Sequence, residues 1–177
     1  MRRFAVPILV MTLALAGSFV WSEPAFAQQP AVTGPTAIML QGDGVAVPLT
    51  ITLADMKAMP RKTIQAQNTH SNKTETYEGV PLAVLLEKAG VPHGEQIRGP
   101  WLAAYVLVDA ADGYRVVFSL AELDSAFEDS DVLVADTLDG TPLSGDEGPF
   151  KLVAPHEKRP SRWIRMVKSL TVVRLPN

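Results

Sequence analysis

Short apolar runs separated by turn signals predict a domain of many short strands with a few short helices. From residue 37 onward, alternating or continuous apolar runs end at Gly, Pro, Asn or Asp. Strands are expected over residues 37–41, 45–51, 62–68, 101–108, 114–118, 132–135, 150–154 and 169–174. Residues 69–76 are polar throughout and are interpreted as a surface loop. Pro48 favours an edge position for the second strand, because proline cannot donate a ladder hydrogen bond.

The helices are predicted from the residues that start and stop them. Thr52, with Asp55 three residues later, is typical of a capping box. Ser119 and Glu122 repeat that spacing, and Gly90 ends the clearest apolar helical stripe. Helices are therefore expected over residues 53–59, 82–89 and 119–127, with a helical turn over residues 161–166. Short strands interleaved with short helices indicate a mixed α+β domain without internal repeats.

The strand at residues 150–154 leads directly into a basic loop built around a tryptophan. The loop carries His156, Lys158, Arg159, Arg162, Trp163 and Arg165. Cations beside a flat indole suit a planar, polar or anionic ligand. The alternative interpretation is an exposed basic loop whose arginines pair with surface carboxylates and whose tryptophan covers the core.

The first 27 residues have the pattern of a signal peptide. Arg2 and Arg3 precede an apolar run over residues 4–21, and residues 25–27 read Ala-Phe-Ala, the small-x-small form of a cleavage site. An uncleaved anchor is the competing interpretation, and a twin-arginine signal is only weakly indicated. We expect cleavage near Ala27, a flexible leader over residues 28–36, a domain over residues 37–177, and a periplasmic or secreted location.

Composition narrows the function classes. The chain has 16 basic and 19 acidic residues, and removal of Arg2, Arg3 and Glu23 would leave 14 and 18, a net charge of −4. An acidic chain of this kind disfavours a general nucleic-acid binder, so the basic loop is a local feature. The sequence contains no cysteine, which excludes thiol nucleophiles, disulfides and every thiolate-held metal. The three histidines are not spaced as ligands on one element, and no nucleophile elbow, phosphate loop or dinucleotide turn is present.

The order of several landmarks resembles the molybdopterin-binding domain of the sulfite oxidase family. They are residues 76–82, 112–114, 119–123, 139–143, 148–153 and 163–164, which together span nearly all of the mature chain. The resemblance implies a mixed, barrel-like α+β sheet fold in a single domain. It also implies binding of molybdopterin.

The resemblance further implies a cysteine thiolate on molybdenum at the end of the strand over residues 63–68. Ala66 or Gln67 occupies that position here, and neither side chain can hold a soft metal centre. This departure resembles small exported proteins of the same fold that bind a reduced, molybdenum-free pterin and signal its presence to a membrane partner.

Several residues are candidates for contact with a pterin. Trp163 would stack on the ring, and Arg159, Arg162 and His156 would supply cations. Asp146 and Glu147 could accept hydrogen bonds from ring N–H groups. The remaining candidates are Asn68, His70, Asp112 and Tyr114, for which ordinary loop or turn roles are the alternative.

The sequence thus predicts a periplasmic pterin-binding sensor or carrier that is not itself a redox enzyme. The runner-up is a molybdopterin-dependent oxidoreductase, or its accessory subunit, that lacks the cysteine ligand. The third interpretation is a structural partner of a membrane or secreted complex.

Overall fold

A computed structural model describes residues 34–68 and 72–176. The predicted signal peptide, the first part of the predicted leader and His70 lie outside the described residues. The strands are β1 (Ala37–Gly42), β2 (Leu49–Thr52), β3 (Lys62–Asn68), β4 (Lys73–Pro81), β5 (Tyr105–Ala110), β6 (Arg115–Ser119), β7 (Leu133–Leu138), β8 (Thr141–Pro142), β9 (Lys151–Val153) and β10 (Val167–Val173). The helices are α1 (Leu53–Lys57) and α2 (Leu82–Lys88).

The strands form two sheets, which confirms the mixed α+β fold. The first sheet has the order β2-β1-β10-β5-β6, in which β1 and β10 are parallel and the other neighbours are antiparallel. The second sheet has the order β3-β4-β7-β8, and β9 also pairs with β7. β2 lies at a sheet edge, as predicted, but it begins at Leu49, so the strand predicted over residues 45–51 was wrong over its first half and Pro48 lies just before β2. Among the described residues, no helix is long and apolar enough to cross a membrane.

Two apolar clusters contain alternate residues of β7, the central strand of the second sheet. The larger cluster contains the inward side chains of the first sheet and of α2, together with Val134 from β7. The smaller cluster contains Leu133 and Ala135 from β7, with Ala66 and Tyr77 from β3 and β4. Because successive residues of a strand face opposite sides, β7 is buried on both faces. The smaller cluster is the floor on which the candidate site is built.

The capping signal at Thr52 starts a helix as predicted, whereas the capping signal at Ser119 does not. Thr52 accepts from the backbone N–H of Asp55, and the Asp55 carboxylate accepts from the backbone N–H of Thr52, so the capping box is present. Glu122 also donates its backbone N–H to the Ser119 hydroxyl, but only a single 3-10 turn, Ala121–Leu123, follows. The prediction of a helix through residue 127 was therefore wrong.

Two strand predictions also require correction. The polar segment interpreted as a loop contains the first half of β4, which pairs with β3 in register from Lys73 opposite Asn68 to Gly79 opposite Lys62. A hairpin with one exposed face can be built from polar residues, so polarity alone did not indicate a loop. Residues 101–103 belong to a 3-10 turn, Gly99–Ala103, and β5 begins only at Tyr105.

A buried ion pair joins the segment before β3 to β7. The Arg61 guanidinium donates to both carboxylate oxygens of Asp136, at 2.8 and 2.7 Å, and the Thr137 hydroxyl donates to the same carboxylate at 2.7 Å. Burial alone would raise the pKa of Asp136, but the hydrogen bonds from Arg61 and Thr137 outweigh it and lower the pKa below its ordinary value. The pair therefore links the segment before β3 to β7.

Candidate functional site

The segment between β9 and β10 is a loop whose two ends are joined by backbone hydrogen bonds. Leu152 and Ile164 exchange two backbone hydrogen bonds, with N···O distances of 2.8 and 3.2 Å. The residues between them form a loop that contains a 3-10 turn, Pro160–Arg162. This turn replaces the longer helical turn that was predicted, and it points neighbouring side chains to different sides of the molecule.

Trp163 lies on the wall of a cavity of about 450 Å³. Its indole N–H donates to the carbonyl oxygen of Ala154 at 2.9 Å, and its ring meets the Tyr77 ring edge to face, with centroids 5.8 Å apart. The ring is partly buried and packs against both apolar clusters. Trp163 therefore combines the two roles that the sequence left open, a ligand-facing aromatic and a cover for the core. The cavity is lined by Asn68, Glu147, Lys151, Pro160, Trp163 and Arg165.

The polar wall of this cavity is an ion-pair chain. The Lys151 ammonium lies 2.5 Å from Glu147 Oε2, and Arg165 lies 3.5 Å from Glu147 Oε1. The Lys151 side chain is only 10% exposed, and its nitrogen also lies 6.0 Å from the centre of the Trp163 ring. A buried cation beside an aromatic face is a suitable contact for an electron-rich ligand.

A second layer of hydrogen bonds holds this wall from behind. The Tyr77 hydroxyl donates to Glu75 at 2.5 Å and accepts from Lys151 at 3.3 Å, while the Asn68 amide donates to the other oxygen of Glu75 at 2.8 Å. Burial, followed by the hydrogen bond to Glu75, raises the pKa of Tyr77 far above its ordinary value. The hydroxyl therefore keeps its proton, and the direction of each hydrogen bond in the chain is fixed.

Arg162 faces away from this cavity, although it precedes Trp163 in the sequence. Its guanidinium pairs with Glu122 at 2.8 Å and with Glu157 at 2.5 Å, and it stacks 4.1 Å above the centre of the Phe118 ring. Burial alone would lower the pKa of Arg162, but the two carboxylates raise it. Arg162 is thus neutralised by its own protein and does not contribute to the Trp163 cavity.

Arg162 also binds the outer strand of the first sheet. One guanidinium nitrogen donates to the carbonyl oxygen of Val117 at 2.9 Å, and Val117 belongs to β6, the last strand of that sheet. Tyr114, just before β6, donates its hydroxyl to the carbonyl oxygen of Ser161 at 2.8 Å. Asp112 accepts from the backbone N–H of Tyr114, which is ordinary turn chemistry. Asp112 and Tyr114 therefore serve the turn and the far side of the loop.

The other predicted site residues do not line the Trp163 cavity. His156 lines a different cavity of about 210 Å³ together with Arg162, and its imidazole lies 3.7 Å from Asp131. Asp146 and Arg159 are exposed, and neither forms an ion pair within the described residues. Of the predicted set, the structure brings together Trp163, Glu147 and Asn68 on the wall of this cavity.

Three lining residues, Lys151, Pro160 and Arg165, were not among the predicted contacts. Lys151 is the only charged residue within the apolar strand over residues 150–154. A lysine is rarely buried without a partner, so its presence in that strand was a readable signal for a carboxylate and a polar site nearby. Arg165 had been recognised only as one cation of the loop.

The structure distinguishes the two residues that could occupy the thiolate position. Ala66 is 4% exposed and lies in the smaller apolar cluster with Tyr77, whereas Gln67 is exposed and donates to Asn72 at 3.1 Å. Strand alternation thus places Ala66 on the face that leads to Asn68 and the cavity.

The protein is a mixed α+β domain of two sheets, with a polar cavity beside a half-buried tryptophan. The chain belongs to the oxidoreductase molybdopterin-binding domain family, whose model matches residues 29–177. Among solved structures, it is similar to the sulfane dehydrogenase SoxCD from Paracoccus pantotrophus, with a TM-score of 0.60 and 23% identity. That match covers 77% of this chain and 37% of the SoxCD chain, and it shows the shared fold. No curated protein matches the sequence.

The donor set fits the organic part of such a cofactor better than its metal. Trp163, Lys151 and Glu147 offer an aromatic face, a donor and a carboxylate, which suit a flat polar heterocycle. A thiolate cannot be supplied, because the sequence contains no cysteine and Ala66 stands on the inward face. Among the described residues, no group of three or more acidic or histidine side chains is arranged to hold a metal ion.

Proposed function

We propose that this chain is a periplasmic pterin-binding protein that acts as a ligand sensor or carrier for a membrane signalling partner, without molybdenum redox chemistry. The observation that carries the proposal is the Trp163 cavity, whose wall holds Lys151 and Glu147 in a family that binds molybdopterin. The resemblance gives the position of the metal thiolate to Ala66 or Gln67, and of these two residues Ala66 is the one whose side chain is buried. The proposal keeps the family's recognition of the pterin and omits its metal.

Stacking supports a heterocyclic ligand in this cavity. Trp163 is held by its indole hydrogen bond and by Tyr77, so its ring is already oriented before a ligand arrives. An aromatic platform of this kind contributes roughly 1–3 kcal/mol for each stacked base in comparable nucleic-acid sites. A fixed platform loses little conformational entropy on binding, which favours affinity for flat ligands.

The loop around the cavity supports a signalling role. Pro160 and Trp163 line the cavity, while Lys158 and Arg159 in the same loop are exposed to solvent. A ligand that contacts Trp163 would bias the conformation of this segment, and a partner that recognises that conformation would bind the loaded protein more tightly. Export of the chain, expected from residues 1–27, would place this loop outside the cytoplasm.

The protein purified from its native periplasm provides the direct test. We expect the absorbance and fluorescence of a pterin and no stoichiometric molybdenum by elemental analysis. A thiolate-bearing enzyme of the family, prepared from the same host, controls for cofactor supply. About one molybdenum per chain in this protein, with the control also loaded, would overturn the proposal in favour of an oxidoreductase without the cysteine ligand.

A further inference from the structure

Three polar atoms follow one another along the wall of the Trp163 cavity. They are Glu147 Oε1, Glu147 Oε2 and the Lys151 nitrogen, which lies 2.5 Å from Oε2, while Arg165 lies 3.5 Å from Oε1. A carboxylate only accepts hydrogen bonds and an ammonium group only donates them. Each carboxylate oxygen has a second lone pair beyond the one that its cation occupies, so the wall presents two acceptors followed by a donor.

The hydrogen bonds that Tyr77 makes to Glu75 and Lys151 keep this order of acceptors and donor from reversing. Tyr77 donates its proton to Glu75, so its oxygen can only accept from Lys151. Among the described residues, Lys151 uses one proton for Tyr77 and one for Glu147. Its third proton remains for a ligand, since an ammonium group has three donors.

Burial keeps the pair in place. The Lys151 side chain is 10% exposed and cannot turn to solvent without leaving Tyr77 and Glu147. An ion pair with one buried and one half-exposed partner adds little net stability, because desolvation of the buried Lys151 offsets the attraction. It does give the cavity a fixed order of donor and acceptor atoms, which is what discrimination between similar heterocycles requires.

We infer that Glu147 and Lys151 read the amino-lactam edge of a heterocycle stacked near Trp163. That edge presents an amino group, a ring N–H and a carbonyl oxygen in sequence, two donors followed by an acceptor. Pterins and guanine share it. In a 2,4-diamino ring the central nitrogen is an acceptor that would face the carboxylate, and the second amino group would face the ammonium. The inference rests on the proposed function for the identity of the ligand.

Binding of three compounds to the full mature protein tests the inference. The compounds are tetrahydrobiopterin, its 4-amino analogue in the same reduction state, and guanosine, titrated anaerobically by calorimetry. We expect the 4-oxo pterin to bind about tenfold or more tightly than the 4-amino analogue, because the mismatch would leave buried polar groups unpaired.

Two variants assign this preference to the pair. Lys151→Met should reduce the preference to within about threefold by removing the charged donor. Glu147→Gln, at a half-exposed position, should also narrow it, since an amide can donate to the central ring nitrogen. Lys88→Met changes an exposed lysine on α2 and should leave the preference unchanged, and thermal melts confirm that each variant is folded.

The outcomes separate this inference from the proposed function. Equal affinity of the wild-type protein for the 4-oxo and 4-amino compounds would overturn the reading of the edge while leaving pterin binding intact. Binding of guanosine alone would support the reading of the edge and overturn the pterin function. Failure of all three compounds to bind would overturn both.

Discussion

Trp163 and Arg162 are neighbours in sequence, yet the charged groups around them differ in whether they face a cavity. Around Arg162, two carboxylates and a backbone carbonyl take up the guanidinium within the protein. Around Trp163, Lys151 and Glu147 pair with each other but remain on the wall of a cavity. A cluster of cations is therefore suited to bind a ligand only where the protein leaves some of their hydrogen-bonding capacity unused.

The largest expected effect is at Trp163. Trp163→Ala should lower stability by about 3 kcal/mol, because the ring packs against both clusters. It should also weaken pterin binding by about 1–3 kcal/mol through loss of stacking. Thermal melts beside calorimetric titration measure both. Trp163→Phe keeps an aromatic face and should retain most of the binding, so equal loss of affinity in the two variants would argue against stacking.

The Arg61–Asp136 ion pair is expected to stabilise the fold in a way that depends on pH. Asp136→Asn should cost about 2 kcal/mol at neutral pH, because a buried charged hydrogen-bond network is lost. The pKa of Asp136 is lowered in the folded state, so the pair stabilises the protein above the ordinary aspartate pKa of about 3.9 and loses this contribution as the pH falls. Urea unfolding from pH 7 to pH 3 should show the wild type and variant converging. A constant difference across that range would contradict the assignment.

Arg162→Met should affect stability more than pterin affinity, unlike Trp163→Ala, which should affect both. We expect a loss of about 1 kcal/mol in stability, since the partly exposed pairs with Glu122 and Glu157 disappear. Pterin affinity should change by less than about twofold, because Arg162 does not line the Trp163 cavity. The same titration checks this. A drop in affinity comparable to that of Trp163→Ala would return Arg162 to the ligand site.

The smallest effect on the protein itself is expected at Lys158. Lys158→Glu lies at an exposed position outside the cavity, so stability should change by less than about 0.5 kcal/mol and pterin affinity should be nearly intact. Recovery of a membrane partner should fall, because the charge presented by the loop is reversed. A pull-down of periplasmic-face membrane proteins, with and without added pterin, measures this. Lys168→Glu, an exposed lysine on β10, serves as the matched control, and recovery indifferent to both pterin and Lys158→Glu would contradict the signalling role.

The sequence predicted elements best where local chemistry decides them. β3 and α2 lie close to their predicted bounds, and the capping box of Thr52 is present, because apolar periodicity and caps act over a few residues. β4 was missed because its first half is stabilised by pairing with β3, a tertiary effect that a polar run does not reveal.

The candidate site depends on the directions in which side chains point, and residue types alone do not specify these directions. The short turn that ends at Arg162 sends that side chain and Trp163 to different cavities. Glu147 could be proposed from its position before Gly148, but its partner Lys151 required knowing that the strand is buried on both sides.

The hydrogen bond from Arg162 to Val117 also affects how these molecules behave at high concentration. Within residues 34–68 and 72–176, no strand pairs with the outer side of β6, and Val117 is 49% exposed on an apolar strand. Such a strand can recruit a strand from another molecule and begin aggregation, and natural proteins protect it with charged groups. By occupying the Val117 carbonyl, Arg162 withholds an acceptor that an incoming chain would need. Arg162, which does not line the Trp163 cavity, thus protects part of this strand edge from pairing with another chain.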